Sequence, residues 1–144
     1  MDEKEIIMVV EDSESLNNFI AKNLVEQGFE VIQCFNAKDA YRKLSKNFIS
    51  LVILDLNLGD DIGGMRVLHS IRLQDKILPV MIVSSINTEK SKVEGFREGC
   101  DDYITKPFYI VELILRIKRM LEKSSLIGFN KNTLETIYAN GIFE

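Results

Sequence analysis

The chain has few cysteines, one histidine, no excess of basic residues and no long apolar segment, and each shortage excludes a class of function. Its two cysteines, Cys34 and Cys100, are too sparse for a disulfide scaffold and lack metal-site spacing. A net charge of −4 argues against a surface that binds nucleic acid. No apolar run is long enough for a membrane span or a signal peptide. We therefore expect a cytoplasmic protein.

Five short apolar segments recur along the 144 residues, a length that suits one domain with a sizeable core. The segments are IIMVV, FEVIQCF, LVIL, PVMIV and DYIT, at 6–10, 29–35, 51–54, 79–83 and 102–105. The stretches between them have helical periodicity, and a last helix is predicted from about Pro107 to about Leu121. The alternation predicts an α/β, doubly wound, five-stranded parallel sheet with right-handed helical crossovers.

Polar side chains follow four of the predicted strands, at the edge where such sheets bind ligands. They are Glu11 and Asp12 after the first strand, Asp55 after the third, Ser84 at the end of the fourth and Lys106 after the fifth. If the strand order is 2-1-3-4-5, the first and third strands are neighbours and their three carboxylates converge. Two unit charges at about 4 Å repel by about 4 kcal/mol at an effective dielectric of 20. Such a cluster needs protons or a cation.

The chemistry of these side chains points to phosphoryl transfer. Oxygen ligands without histidine or cysteine favour a hard cation, and few protein ligands suit Mg²⁺ better than Ca²⁺. A carboxylate beside that cation, Asp55, is a candidate nucleophile for a phosphoryl group. Lys106 supplies a positive charge for phosphoryl oxygens, and Ser84 supplies a hydroxyl donor.

Each of these residues also has an ordinary structural interpretation. Glu11, Asp12 or Ser13 suits the cap of a helix that starts near Glu14. A lone lysine is most often a solvated surface residue, and serines are common in turns. Four strand ends with matching chemistry at once favour the functional interpretation, because independent capping would not arrange that.

Four segments, in their order and spacing, resemble the signature segments of bacterial response-regulator receiver domains. They are IIMVVEDSESL, LVILDLNL, PVMIVSS and GCDDYITKPF, within a span from residue 6 to about residue 121. The resemblance implies the flavodoxin-like receiver fold and a two-component phosphorelay. It also implies that a phosphohistidine on a partner sensor histidine kinase is the phosphoryl donor, a role for which His69 of this chain is no candidate.

The resemblance implies a metal site and a phosphoacceptor. Asp55 is the implied phosphoacceptor. Asp12 and Asp55 are the implied ligands of magnesium (Mg²⁺), with Glu11 contributing through the acidic pocket. The backbone carbonyl of Asn57 completes the implied set of protein ligands.

The resemblance also implies how the site acts on the surface. Lys106 contacts the phosphoryl group, and its peptide bond to Pro107 is cis. Ser84 and Tyr103 move together on activation. The domain is then no enzyme with turnover, although it assists its own phosphorylation and dephosphorylation.

The sequence departs from the family pattern after Asp55. Receivers commonly have a proline four residues on, where this chain has Gly59, and one extra residue places Gly64 at the position of a common glycine. A looser, more acidic loop is expected. Ile86 is apolar where some relatives have a polar group that steers the hydrolytic water, so we expect slow self-dephosphorylation.

The chain divides into a receiver domain, residues 1–122, and a linker with a hairpin-like tail, residues 123–144. The tail contains an Asn140-Gly141 pair, a strong hairpin signal, and resembles the first strands of a winged-helix DNA-binding domain. No recognition helix is present, so this chain itself is expected to contact neither DNA nor a membrane. Transcription regulation is the expected output; a stand-alone single-domain receiver remains the alternative.

Two other classes of function fit the sequence less well than a phosphorylation switch. Phosphatases of the haloacid-dehalogenase type also use an aspartate nucleophile, but they place a second aspartate two residues later, where this chain has Asn57. A pseudo-receiver that only binds partners would not need the intact Asp55, Asp12 and Lys106.

Resemblance to the winged-helix subfamily also implies a phosphorylation-dependent homodimer, because activated receivers of that subfamily pair through the fourth helix, fifth strand and fifth helix. Of the salt bridges that join the two copies in that subfamily, this chain keeps opposite charges at two pairs and has like charges at a third. A weak, salt-sensitive dimer is therefore expected. The kept pairs are Lys92 with Glu112 and Asp102 with Arg116, and the like-charge pair is Arg97 with Lys118. The alternative is that Glu112 and Arg116, four apart on one helix, pair with each other.

Overall fold

The structure, a computed structural model, describes residues 4–125, in which five strands alternate with five helices. The strands are β1 (Ile6–Val10), β2 (Glu30–Cys34), β3 (Leu51–Leu54), β4 (Val80–Ser84) and β5 (Asp102–Thr105). The helices are α1 (Glu14–Glu26), α2 (Ala37–Lys46), α3 (Gly64–Gln74), α4 (Glu89–Glu98) and α5 (Ile110–Ser125). Every strand pair is parallel and the strand order is β2-β1-β3-β4-β5, which confirms the predicted fold class and order.

Alternating residues of the central strands pack into two cores, one on each face of the sheet. Met8 and Val10 of β1 lie in one core, and Ile7 and Val9 lie in the other. All positions of β3 and β4 are buried, whereas most of the edge strand β2 is only half-buried. The uniformly apolar segments in the sequence are therefore strands covered by helices on both faces.

Short polar residues start three of the helices. Ser13, Asn36 and Thr88 each accept a hydrogen bond from the backbone N–H three residues later, at the beginning of α1, α2 and α4. The capping interpretation is thus right for Ser13. Gly63 precedes α3 without a side-chain cap, and Asp60 bonds the N–H of Gly63 instead.

The last helix differs from its predicted bounds, because α5 begins at Ile110 rather than near Pro107 and ends at Ser125. The N–H of Lys106 donates to the carbonyl of Ser84 at 2.8 Å, so the strand pairing continues one residue beyond β5. The chain bends at Lys106 and Pro107, and the helix begins only after Tyr109. The peptide bond between Lys106 and Pro107 is cis, as the family resemblance implied.

Backbone hydrogen bonds carry the sheet pairing directly into the polar residues at its carboxyl edge. The N–H of Glu11 donates to Cys34 O at 3.0 Å, and the N–H of Asp55 donates to Val10 O at 3.0 Å. These residues are therefore held by the sheet rather than by free loops, which favours a rigid site.

None of the helices in residues 4–125 is long and apolar enough to cross a membrane. Most of the predicted linker and hairpin-like tail, from residue 126 on, lies outside the described residues.

Candidate functional site

Three carboxylates converge at the carboxyl ends of β1 and β3. Glu11, Asp12 and Asp55 each place one oxygen within 4.8 Å of the others. Glu11 and Asp55 are only 3% and 5% exposed, whereas Asp12 is exposed. The predicted convergence is present, and a set of carboxylate oxygens without histidine or cysteine fits a hard divalent cation.

Lys106 lies between the two buried carboxylates. Its Nζ donates to Glu11 Oε1 at 2.6 Å and to Asp55 Oδ2 at 2.9 Å. The lysine side chain is 22% exposed, and the two acids are nearly inaccessible. In this poorly hydrated space, one positive charge therefore compensates only one of two negative charges, and the site keeps a net negative charge.

Burial and hydrogen bonds shift the pKa values of Glu11 and Lys106. Burial raises the pKa of Glu11 to about 6, against the opposing hydrogen bonds from Lys106 and the Ser13 N–H. Burial alone would lower the pKa of Lys106, but its hydrogen bonds to Glu11 and Asp55 outweigh that effect and raise it. Lys106 is thus a permanent cation, whereas burial makes the ionised form of Glu11 less favourable than it is in water.

Both oxygens of each buried acid are engaged. Glu11 Oε2 accepts from the Ser13 N–H at 3.0 Å, while Oε1 accepts from Lys106. Asp55 Oδ1 accepts from the Asn57 N–H at 3.1 Å, while Oδ2 accepts from Lys106. The side chain of Asn57 itself is exposed. These bonds fix the direction in which each carboxylate points.

Two glycines let the loop after β3 approach the acids. A Cβ on Gly64 would lie 2.1 Å from Asp55 O, so only glycine fits where α3 begins. Gly59 has a φ of +68°, and a Cβ there would meet Asp12 Oδ2 at 3.0 Å. The glycine at the family's proline position thus brings the loop backbone close to the exposed carboxylate.

Asp60 ties this loop to α2, a role that the sequence interpretation as a simple loop missed. Its Oδ1 accepts from the N–H groups of Ile62 and Gly63, and its Oδ2 accepts from Ala37 N–H at 3.0 Å. The hydrogen bond from Gly63, with those from Ala37 and Ile62, lowers the pKa of Asp60. The loop is anchored rather than loose, and no sequence pattern signals this contact.

Ser84 and Tyr103 are joined through one residue, Ile86. The fully buried Ser84 Oγ accepts from the Ile86 N–H at 3.1 Å. The hydroxyl of Tyr103 donates to the Ile86 carbonyl and shares a second hydrogen bond, of 3.0 Å, with Ser91 Oγ at the start of α4. A continuous set of hydrogen bonds therefore runs from the end of β4 to the ring on β5 and on to α4.

The residues predicted to bridge a dimer are partly paired within the chain. Arg116 bonds Asp102 Oδ1 and Glu112 Oε1, both at 2.8 Å. Lys118 donates to Oε1 of Gln27, at the end of α1, at 2.9 Å. The intrahelical pairing of Glu112 with Arg116, weighed as the alternative, is thus observed.

The α4 part of the predicted dimer surface is open. Lys92 and Arg97 line a shallow groove together with Val93 and Phe96, which are 41% and 51% exposed. Two large apolar side chains with flanking cations make this helix face suitable for a partner surface.

Sequence reasoning missed Asn17, a fully buried polar residue behind the acidic cluster. Its amide nitrogen donates to the backbone carbonyls of Glu11 and Cys34. A signal was present, because Asn17 is three residues before Ile20 and seven before Leu24 and so falls on the apolar stripe of α1.

Comparison with known proteins gives the family. Residues 7–118 match the family model of the response regulator receiver domain. A putative NtrX-like response regulator of Rickettsia felis is 36% identical over 121 residues, which are 83% of this chain and 26% of the relative. The two-component response regulator PhoP of Pseudomonas aeruginosa is 34% identical over 129 residues, covering 90% of this chain and 56% of PhoP.

The crystal structure of the receiver domain of NtrX from Brucella abortus superposes with a TM-score of 0.76 at 33% identity, over 81% of this chain and 98% of that one. This chain thus spans about a quarter to about half of the curated relatives described above. The family match covers the sheet, the acidic cluster and Lys106 together. The chain belongs to the receiver-domain family of two-component response regulators.

Proposed function

We propose that this receiver takes a phosphoryl group from a phosphohistidine of a sensor histidine kinase onto Asp55, with Mg²⁺ bound beside it. The observation that carries the proposal is the placement of Asp55, a buried carboxylate that accepts from Lys106 and lies in one cluster with Glu11 and Asp12. Receiver domains generally signal rather than turn over a substrate.

The reaction exchanges one phosphorus bond for another. An Asp55 carboxylate oxygen attacks phosphorus, the P–N bond to the donor imidazole breaks, and the imidazole leaves with the bonding electron pair. Mg²⁺, held by Asp12, Asp55, Glu11 and the Asn57 carbonyl, would neutralise charge on the phosphoryl oxygens. The Lys106 ammonium, freed from Asp55 Oδ2, would turn to a phosphoryl oxygen and keep its bond to Glu11.

The same geometry favours a switch over a phosphatase. Asn57, two residues after Asp55, has an exposed amide side chain and no carboxylate to protonate a leaving group. Ile86 presents an apolar, 40% exposed side chain, which has no polar atom to orient a hydrolytic water. We propose that the domain assists its own phosphorylation and dephosphorylates slowly.

Transcription control is the output that we propose for the whole protein. Relatives include proteins named transcriptional regulatory protein, such as CusR of Escherichia coli, and this chain covers 53% of CusR. Residues 1–122 would form the receiver, and residues 123–144 would begin a DNA-binding segment. The alternative is a stand-alone receiver that acts through protein contacts, which no specific observation favours.

Replacement of the acceptor tests the proposal. With acetyl phosphate and Mg²⁺, we expect intact mass spectrometry to show one added phosphoryl group on the wild type and none on Asp55→Asn or after EDTA. Asp61→Asn removes an exposed acid six residues later and should be phosphorylated normally. Labelling that persists in Asp55→Asn would rule out this acceptor, and steady turnover of a phosphate ester would favour a phosphatase.

The raised pKa of Glu11 predicts a pH dependence of stability in metal-free protein. The folded pKa of about 6 exceeds the ordinary value of 4.5, so the folded state binds more protons between these values. The resulting contribution of Glu11 to the stability of the folded state is complete below pH 4.5 and is lost as the pH rises through 6. The shift corresponds to about 2 kcal/mol of unfolding free energy.

Urea unfolding between pH 4.5 and 7 measures this effect. The unfolding free energy of the wild type should fall relative to that of Glu11→Gln as the pH rises. Glu14→Gln, at an exposed acid nearby, should follow the wild type. Parallel curves for the wild type and Glu11→Gln would show that Glu11 carries no such shift.

The hydrogen bonds through Ile86 predict that Ser84 couples the site to Tyr103. A ligand on Asp55 changes the surface only if it contacts the two states differently, and Ser84 is a buried hydroxyl in this network. Ser84→Ala should still be phosphorylated, but the Tyr103 ring signals should respond weakly to beryllofluoride in NMR spectra. Ser85→Ala, at the neighbouring exposed hydroxyl, should respond like wild type. An undiminished response in Ser84→Ala would reject the coupling.

We propose that the phosphorylated receiver pairs weakly through α4, β5 and α5. Arg116 must exchange its bonds within the chain for bonds to a second copy, and exposed ion pairs contribute only about 0–1 kcal/mol each. Val93 and Phe96 supply apolar area. Lys118 reaches its predicted position opposite Arg97 only after release from Gln27.

Charge reversal at Arg97 tests this surface. In low salt with beryllofluoride, sedimentation velocity should show a weak wild-type dimer and a tighter Arg97→Glu dimer, because the third pair becomes attractive. High salt should weaken both. Arg66→Glu makes the same charge change at an exposed site on α3 and should leave the dimer unchanged. An Arg97→Glu protein no tighter than wild type would place the interface elsewhere.

A further inference from the structure

We propose that Asn17 is a positioning residue for the acidic pair Glu11 and Asp12, and through them for Mg²⁺ binding. The inference rests on the proposed function, because it assigns Asn17 to the same metal site. Asn17 contributes no ligand atom. It acts on the backbone that presents the two carboxylates.

The side-chain amide of Asn17 is fully buried and fully used. Its Nδ2 donates to Glu11 O and to Cys34 O, both at 3.0 Å, with Val9 O more distant at 3.5 Å. Its Oδ1 accepts from Gln33 Nε2 at 3.0 Å. The Asn17 amide thus donates two hydrogen bonds, to Glu11 O and Cys34 O, and accepts one, from Gln33 Nε2. These three bonds to the ends of two strands fix the plane of the amide.

The two carbonyls lie where the regular pairing of β1 with β2 stops. The N–H of Glu11 donates to Cys34 O as the last hydrogen bond between these strands. The carbonyl of Glu11 has no strand partner after that point, and a buried carbonyl without a partner is unfavourable. Asn17 supplies the partner and so extends the fixed part of β1 by one peptide group.

That peptide group joins Glu11 to Asp12. Because a peptide unit is planar, a fixed Glu11 carbonyl also fixes the N–H and the Cα of Asp12. The two side chains then point in different directions, Glu11 inward to Lys106 and Asp12 into the exposed space near Gly59. A rotation of this plane would separate the carboxylate oxygens that now lie within 4.8 Å of each other.

A second buried asparagine on α1 shows that burial alone does not create this role. Asn23 is 7% exposed and donates only to Phe19 O, within its own helix, at 2.9 Å. It touches neither strand end. Asn23→Leu is therefore a matched control for Asn17→Leu. Both variants replace a buried asparagine of α1 by leucine, but only Asn17 bonds the backbone at the site.

Metal affinity and backbone protection together test the inference. Isothermal titration calorimetry with Mg²⁺ should give a dissociation constant about 10-fold to 100-fold higher for Asn17→Leu than for wild type. This is the range found when residues that orient metal ligands are removed. In metal-free protein, the Glu11 amide should exchange with solvent about 10-fold faster, because the strand ends around it lose the side chain that joins Glu11 O to Cys34 O. Asn23→Leu should stay within about twofold of wild type in both measurements.

A milder variant keeps the test informative if Asn17→Leu does not fold. Gln33→Leu, on the half-buried edge strand, removes the hydrogen bond that orients the Asn17 amide and should weaken Mg²⁺ binding about threefold. Asn18→Ala removes only the neighbouring bond of Gln33 and should bind normally.

The outcomes separate this inference from the proposed function. If wild type binds Mg²⁺ and Asn17→Leu binds it equally well, or if Asn23→Leu loses as much affinity, the positioning role is wrong and the metal site stands. A wild-type protein that binds no Mg²⁺ would overturn both. If Asn17→Leu does not fold, normal binding by Gln33→Leu would likewise overturn the role of Asn17.

Discussion

The ammonium group of Lys106, shared by two buried carboxylates, is the interaction on which the rest of the site depends. It joins residues 95 and 51 positions away in the sequence, Glu11 and Asp55. Removal of one partner from a buried ion pair typically costs about 3–5 kcal/mol, because a buried charge is left uncompensated. The cluster can exist only where β1, β3 and β5 end at one edge, so the strand order is a requirement of the chemistry. β4, which ends at Ser84, lies between β3 and β5, so the lysine side chain spans one strand to reach Asp55.

The same cluster explains how a local reaction can change a distant surface. Phosphorylation of Asp55 would remove one of the two acceptors of Lys106 and place new oxygens near Ser84. The hydroxyl of Ser84 bonds Ile86, and Ile86 bonds Tyr103, which also bonds Ser91 on α4. Under the proposed function, a change at one end of this network would alter the anchoring of the helix that carries Val93 and Phe96. The backbone N–H of Lys106 donates to Ser84 O, so this bond joins the proposed acceptor site to the network that reaches α4.

Much of this arrangement was predictable from the sequence, because it depends on local pattern and topology. Uniformly apolar segments predicted the strands, and the polar residues after them predicted the meeting of Glu11, Asp12 and Asp55. The start of α5 was predicted at about Pro107, three residues before its observed start at Ile110, because helical periodicity does not show the bend at Lys106 and Pro107. Contacts made by polar side chains across elements were equally hidden. Asn17 bonds two strand ends and Asp60 bonds a helix start 23 residues away.

The central claim is that Asp55, rather than another carboxylate of the cluster, forms the acyl phosphate. Borohydride reduction of the phosphorylated wild-type protein converts a phosphorylated aspartate into homoserine, and peptide mass mapping then locates that residue. The account predicts homoserine at position 55 alone, and no conversion when phosphorylation is carried out without Mg²⁺. Homoserine at position 12, or a phosphorylated protein that resists reduction, would contradict it.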